Sequence, residues 1–148
     1  MLFNLKGALE RVKALRVLHI DDDPDQLHFT KIFLEDCGDS LIIDSMDKPL
    51  EALKQIEAGI YDCIISDYQM DNMDGIELTK TVRIQSDIPI IIYTGKGAEE
   101  VKILTQKAGA DAYFQKETDP HHYKILYYNI LNLINKRKKK QKCILKKL

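Results

Sequence analysis

Five short apolar runs, separated by stretches with helical spacing, constrain this chain more than any other feature. They are "RVLHI" (16–20), "LIIDSM" (41–46), "DCIIS" (62–66), "PIIIY" (89–93) and "DAYF" (111–114). All are rich in Ile, Val or aromatic residues, and most are too apolar to leave one face in water. Strands covered on both sides by helices read this way. The intervening segments supply those helices. "DPDQLHFTKIFLEDCG" has Asp23 as its N-cap, Pro24 at the first helical position and Gly38 at its end. "DKPLEALKQIEAG" repeats that design with Asp47, Pro49 and Gly59. "GIELTKTVRIQ", "GAEEVKILTQKAGA" and "DPHHYKILYYNILNLINK" provide three more. Strict alternation of strand and helix implies α/β architecture, built from βαβ units with parallel strands and right-handed crossovers.

A chain of 148 residues with 45% apolar and 30% charged residues suits one globular domain. Cys37, Cys63 and Cys143 are odd in number and show no CxxC spacing, which argues against a disulfide framework and for a reducing compartment. No apolar run approaches the roughly 20 residues of a membrane helix. No secretory signal block opens the sequence either, so a cytoplasmic location is expected. The net charge of −1 conceals an asymmetry. Eight of the 22 basic residues and none of the 23 acids fall in residues 136–148, so residues 1–135 carry about −9. Leu2, Leu5, Leu9 and Val12 form one helical stripe near the N-terminus. Three segments follow: an amphipathic extension (1–15), the main folded part (16–135) and a basic tail (136–148).

In an open parallel sheet, ligands bind beyond the carboxyl ends of the strands, where the strand order reverses. The residues just past the strands are Asp21, Asp22 and Asp23 after the first, Asp67 after the third, Thr94 and Gly95 after the fourth, and Lys116 after the fifth. If strands one and three are neighbours, about 4.8 Å apart, Asp21, Asp22 and Asp67 crowd one edge. Carboxylates that close repel, and an all-oxygen set without His or Cys suits Mg²⁺. The Lys116 ammonium and Thr94 hydroxyl complete a set that matches a phosphoryl group, whose transfer depends on positioning and charge neutralisation. Asp67 then has a role as acceptor, since carboxylates form aspartyl-phosphate intermediates.

"VLHIDDDPDQL", "IISDYQMDNMDG", "IIYTG" and "YFQK" resemble the four signatures of the receiver domain of two-component response regulators, over roughly residues 15 to 135. The resemblance implies a doubly wound five-stranded sheet of order 2-1-3-4-5, flavodoxin-like, with helices on both faces. It makes Asp67 the phosphoacceptor. Asp22 and Asp67 would ligate Mg²⁺ with the backbone carbonyl of Gln69, and Asp21 would act mainly through a water. Thr94 and Lys116 would bind phosphoryl oxygens, and Tyr113 occupies the place of the family's aromatic switch residue. Two positions depart from the pattern. Glu117 follows Lys116 where the family usually carries proline, and Asp71 stands where proline is also common. Gln69 and Lys96 flank the phosphoryl site at positions that influence phosphate lifetime.

The resemblance implies a stand-alone receiver, phosphorylated by a histidine kinase or a histidine phosphotransfer protein. Its output would be a contact with a downstream protein target, or a homodimer, through the fourth helix, fifth strand and fifth helix. It would catalyse only its own phosphorylation and dephosphorylation. The alternative is a pseudo-receiver, a constitutive binding module that never carries phosphate. A Mg²⁺-dependent phosphatase of similar topology would want two acids in a DxD pattern at one strand end, which the position of Asp67 does not match. Blander readings apply elsewhere: Asp23 caps a helix, His19 packs in the core, and adjacent His121 and His122 point apart. "TGKGAEE" lacks the GxxxxGK[ST] of a nucleotide loop. The basic tail reads as a solvated end, with nucleic acid or anionic lipid as alternative partners.

Overall fold

A computed structural model describes residues 14–95 and 97–148. The N-terminal leucine stripe and Lys96 lie outside the described residues. Among the described residues ten elements alternate: β1 (Leu15–Ile20), α1 (Pro24–Asp36), β2 (Leu41–Met46), α2 (Pro49–Glu57), β3 (Cys63–Ser66), α3 (Gly75–Arg83), β4 (Ile90–Thr94), α4 (Glu99–Ala108), β5 (Ala112–Gln115) and α5 (His122–Lys146). All neighbouring strands are parallel, and their order is β2-β1-β3-β4-β5. The order reverses between β1 and β3, which puts the crevice there.

Burial follows strand position. Every residue of β3 and β4 is buried, whereas β2 alternates and β5 is only partly covered, as edge strands are. Successive side chains point to opposite faces, so the sheet feeds two cores. Val17, Ile65, Ile91 and Tyr93 pack with Leu34 of α1 and with Tyr123, Leu126 and Ile130 of α5. Leu18, Ile20, Ile64 and Ile92 pack on the other face with Ala52 of α2 and with Leu78 and Val82 of α3. Fully burying one such aliphatic side chain contributes about 1.5–3 kcal/mol.

The helix ends explain most boundaries. Asp23 caps α1 by accepting from the N–H groups of Asp25 and Gln26, and Asp74 caps α3 by accepting from Glu77 N–H. Helix α4 stops at Gly109, whose φ of 103° lies in the left-handed region that glycine tolerates. Two expectations change. The N-cap of α2 is Lys48, with no side-chain cap bond, so Asp47 does not do for α2 what Asp23 does for α1. Pro49 alone, at the first turn, presets that helix start. The boundary expected at residue 136 is also absent as a structural break. Helix α5 runs through it, and its exposed last turns carry the lysines. Lysine is a good helix former, and nothing between Ile134 and Lys146 is Gly or Pro.

Candidate functional site

The carboxyl ends of four strands meet at one edge of the sheet, and each brings a functional group there. β1 runs into Asp21 and Asp22, β3 into Asp67, β4 ends on Thr94, and β5 is followed by Lys116. With Asp23, Gln69, Met70, Asp71 and Gly95 they line a cleft of about 580 Å³. The pattern of strand-end residues thus converges as the sequence implies. Tyr113 is not part of the cleft wall.

Asp67 is held by backbone. Its N–H donates to the Ile20 carbonyl at 2.9 Å, continuing the β1–β3 ladder by one residue. Its Oδ1 accepts from the Tyr68 N–H at 2.8 Å. The loop after it returns so that Gly75 N–H donates to the Tyr68 carbonyl at 2.8 Å. A Cβ at Gly75 would lie 2.5 Å from the Asp67 carbonyl oxygen. The glycine of "MDG" is therefore required by the close approach of α3 to the backbone of Asp67, a role sequence reading leaves unassigned.

Asp21 is fully buried. Its Oδ1 accepts from Asp23 N–H at 3.0 Å, and its Oδ2 accepts from Lys116 Nζ at 2.6 Å. Burial pushes its carboxyl above the ordinary carboxylate range, although the Lys116 ion pair opposes the shift. Lys116 Nζ is also 3.4 Å from Asp67 Oδ2, so one ammonium serves two carboxylates. Asp22 is exposed at the mouth. Each of Asp21, Asp22 and Asp67 offers a carboxylate oxygen, and these lie within 4.8 Å of one another. One lysine balances only one of three such charges. An oxygen-only donor set with residual negative charge fits a hard divalent cation, so the residues present suit Mg²⁺.

Thr94 is buried at the end of β4. Tyr113 pairs with Ile92, two residues before Thr94, so the two side chains share one face of the sheet as diagonal neighbours. Burial, with the Glu99 carboxylate adding to it, raises the Tyr113 phenol. His19 is fully buried, and neither ring nitrogen has a hydrogen-bond partner. Burial first, and Lys116 second, lower its pKa to about 3, so it packs as a neutral ring. The structure adds one group that sequence reading missed. Tyr93 lies fully buried beneath the cleft, with Lys116 Nζ 5.9 Å from its ring centroid and its hydroxyl 2.5 Å from His122 Nε2. The only sequence signal was a tyrosine ending an aliphatic run.

A model of the response regulator receiver domain matches residues 17–126. The chain is 30% identical over 123 residues to the cyclic di-GMP phosphodiesterase response regulator RpfG of Xanthomonas campestris pv. campestris (strain 8004), aligning 81% of this chain with 32% of that protein. It therefore spans about a third of that curated relative's length. Among solved structures, the receiver domain of the Francisella response regulator 1452 superposes with a TM-score of 0.73 at 30% identity, covering 83% of this chain and 98% of that one. A CheY-like receiver domain protein from Methanospirillum hungatei JF-1 superposes with a TM-score of 0.74 at 27% identity, covering 86% and 98%.

Proposed function

The chain belongs to the response regulator receiver domain family, and from that membership we propose that it is a phosphorylation-controlled switch whose phosphoacceptor is Asp67. One observation carries the reading: the Lys116 ammonium bridges buried Asp21 and strand-end Asp67 where three carboxylates converge. The donor is a phosphohistidine on a histidine kinase or a histidine phosphotransfer protein. An Asp67 carboxylate oxygen forms the new bond to phosphorus as the phosphorus–nitrogen bond breaks, and the imidazole leaves with the electron pair. Asp22 and Asp67, with the Gln69 backbone carbonyl and with Asp21 acting mainly through a water, would hold Mg²⁺, which when bound would neutralise charge on the carboxylates and phosphoryl oxygens. Lys116 turns from Asp21 towards a phosphoryl oxygen, and the Thr94 hydroxyl donates to another through a charge-assisted hydrogen bond.

The switch follows from the shared face of Thr94 and Tyr113. Thr94 drawn towards the phosphoryl group vacates space that the Tyr113 ring fills, which shifts a pre-existing equilibrium of the β4–α4 and β5 region. Output is contact with a downstream protein, or a second copy, through α4, β5 and α5. Supporting that face, α4 exposes Ile103 and Leu104 and α5 exposes Ile125 and Tyr128. The test is mass measurement after incubation with acetyl phosphate and Mg²⁺. Wild type should gain one phosphoryl group and Asp67→Asn none. A wild-type chain that stays unmodified would support the pseudo-receiver instead, and equal labelling of the mutant would move the acceptor elsewhere.

A further inference from the structure

Lys116 needs a fixed perch between two acids, and the loop that follows it must reach α5 within five residues. Three contacts define that loop. Lys116 N–H donates to the Thr94 carbonyl at 2.8 Å, and His121 N–H donates to Asp119 Oδ1 at 3.0 Å. His122 Nδ1 lies 2.5 Å from the Asp119 carbonyl oxygen. A carbonyl only accepts, so Nδ1 carries the proton and donates. In the Nδ1–H tautomer Nε2 is the acceptor, and the Tyr93 hydroxyl donates to it at 2.5 Å. Both side chains are buried. The face of the same Tyr93 ring lies under the Lys116 ammonium, at 5.9 Å from the centroid. One side chain therefore touches both ends of the β5–α5 loop: its ring at Lys116, its hydroxyl at the first residue of α5.

We propose that Tyr93 and His122 act as positioning residues, a buried latch that seats the Lys116 ammonium for phosphoryl binding and ties its movement to the first turn of α5. The inference rests on the phosphoacceptor reading above. In the unmodified cleft Lys116 is divided between Asp21 and Asp67. When its ammonium swings to a phosphoryl oxygen it slides over the Tyr93 ring. The ring is anchored through its hydroxyl to His122, so the displacement reaches α5 on the sheet face opposite Tyr113. Tyr123 packs edge-on against the Tyr93 ring, and its own hydroxyl accepts from Gln26 Nε2 at 3.4 Å, which extends the contact to α1. The cleft would thus have two exits, the Thr94–Tyr113 pair on one face and Tyr93–His122 on the other.

The test uses the full chain and four variants. Tyr93→Phe keeps the ring and removes the hydroxyl, while Tyr93→Leu removes both. His122→Gln retains an acceptor near the Nε2 position, and His122→Ala does not. With acetyl phosphate and Mg²⁺, Tyr93→Leu should lower the maximal labelling rate about tenfold while leaving the half-saturating Mg²⁺ concentration unchanged. With beryllofluoride as phosphoryl mimic, Tyr93→Phe should lose the wild-type NMR shifts at Tyr123–Ile125 but keep those around Thr94 and Tyr113. His122→Gln should recover part of the α5 response that His122→Ala loses. A wild-type labelling rate in Tyr93→Leu, or undiminished α5 shifts in Tyr93→Phe, would overturn the latch. Imidazole ¹⁵N shifts separate this failure from that of phosphorylation itself. Even in a chain that never labels, His122 must appear as the Nδ1–H tautomer in wild type and change in Tyr93→Phe, and a protein showing neither has no latch.

Discussion

Gly75→Ala gives the sharpest test of how the fold seats Asp67. The added Cβ would meet the Asp67 carbonyl oxygen at 2.5 Å and Ile92 Cδ1 at 3.2 Å. An isoleucine methyl can yield, but the carbonyl is backbone. The contact is roughly 1 Å short of an ordinary carbon contact distance of about 3.5 Å, so α3 or the Asp67–Tyr68 segment must move. Moving α3 disturbs Leu78 and Val82 in the core that α2 and α3 form with the sheet, and overpacking of this kind costs about 1–3 kcal/mol. Alanine's better helix propensity offsets at most about 1 kcal/mol of that. The expected net loss is about 1–2 kcal/mol, read as a lower urea midpoint by circular dichroism with unchanged slope. Moving Asp67 instead spares stability and harms chemistry, since a misplacement near 1 Å costs up to about 100-fold in rate. Gly95→Ala is the control, because a Cβ there meets nothing within 4 Å although the residue lines the same cleft. If Gly75→Ala matches Gly95→Ala in both midpoint and labelling rate with acetyl phosphate, the close-approach argument is wrong.

Asp22→Ala removes an exposed carboxylate from the three-acid set, so isothermal titration should show Mg²⁺ affinity falling roughly tenfold. Saturating Mg²⁺ should raise the wild-type unfolding midpoint, since a ligand at 100 times its Kd stabilises by about 2.7 kcal/mol; an unmoved midpoint would argue against a metal at this site. His19, whose pKa falls to about 3 in the folded chain, binds a proton only after unfolding between its ordinary value and that one. Its contribution to stability is thus present above about pH 6.5 and lost progressively as pH falls towards 3. His19→Leu should flatten that part of the denaturation profile. Deleting residues 138–148, all exposed, should change stability by no more than about 0.5 kcal/mol, as measured by urea unfolding.

The fold was legible because two local signals agreed. Runs such as "CIIS" and "IIIYT" are apolar on both faces, and only a sheet covered twice makes that stable. Asp-Pro and Asp-Gly pairs punctuated the helices at Asp23 and Asp74. Asp47 differs by one residue: Lys48 separates it from Pro49 and takes the N-cap position, so the acid falls outside the helix start. The cleft was legible for a topological reason: in a parallel sheet every strand end lies on one edge, so residues far apart in sequence need only the strand order to be placed together. What stayed hidden was the interior. Nothing in "PIIIY" or "DPHHY" says that Tyr93 and His122 meet, since that contact joins β4 to a helix packed across the sheet face. The need for glycine at position 75 was likewise invisible, because it is set by a carbonyl in another segment.

The two departures from the receiver pattern have different physical consequences. Glu117 stands where proline is usual, yet Lys116 N–H still reaches the Thr94 carbonyl and its ammonium still reaches Asp21. The position of Lys116 is set upstream, by the β4–β5 register that pairs Thr94 with Gln115, and the residue after it has little say. Downstream, the Asp119 contacts close the loop, with its proline at position 120 rather than directly after the lysine. Asp71 acts through charge. It brings a further carboxylate to the cleft wall, in a loop that Asn72 turns with a φ of 70°, a conformation asparagine tolerates better than most residues. Asp71 therefore adds to repulsion that Lys116 only partly offsets. Each added acid makes the cation-free cleft less favourable and the cation-bound one relatively more so. A proline at 71 would remove that charge and weaken the cleft's fit to a divalent cation, whatever it did for the loop.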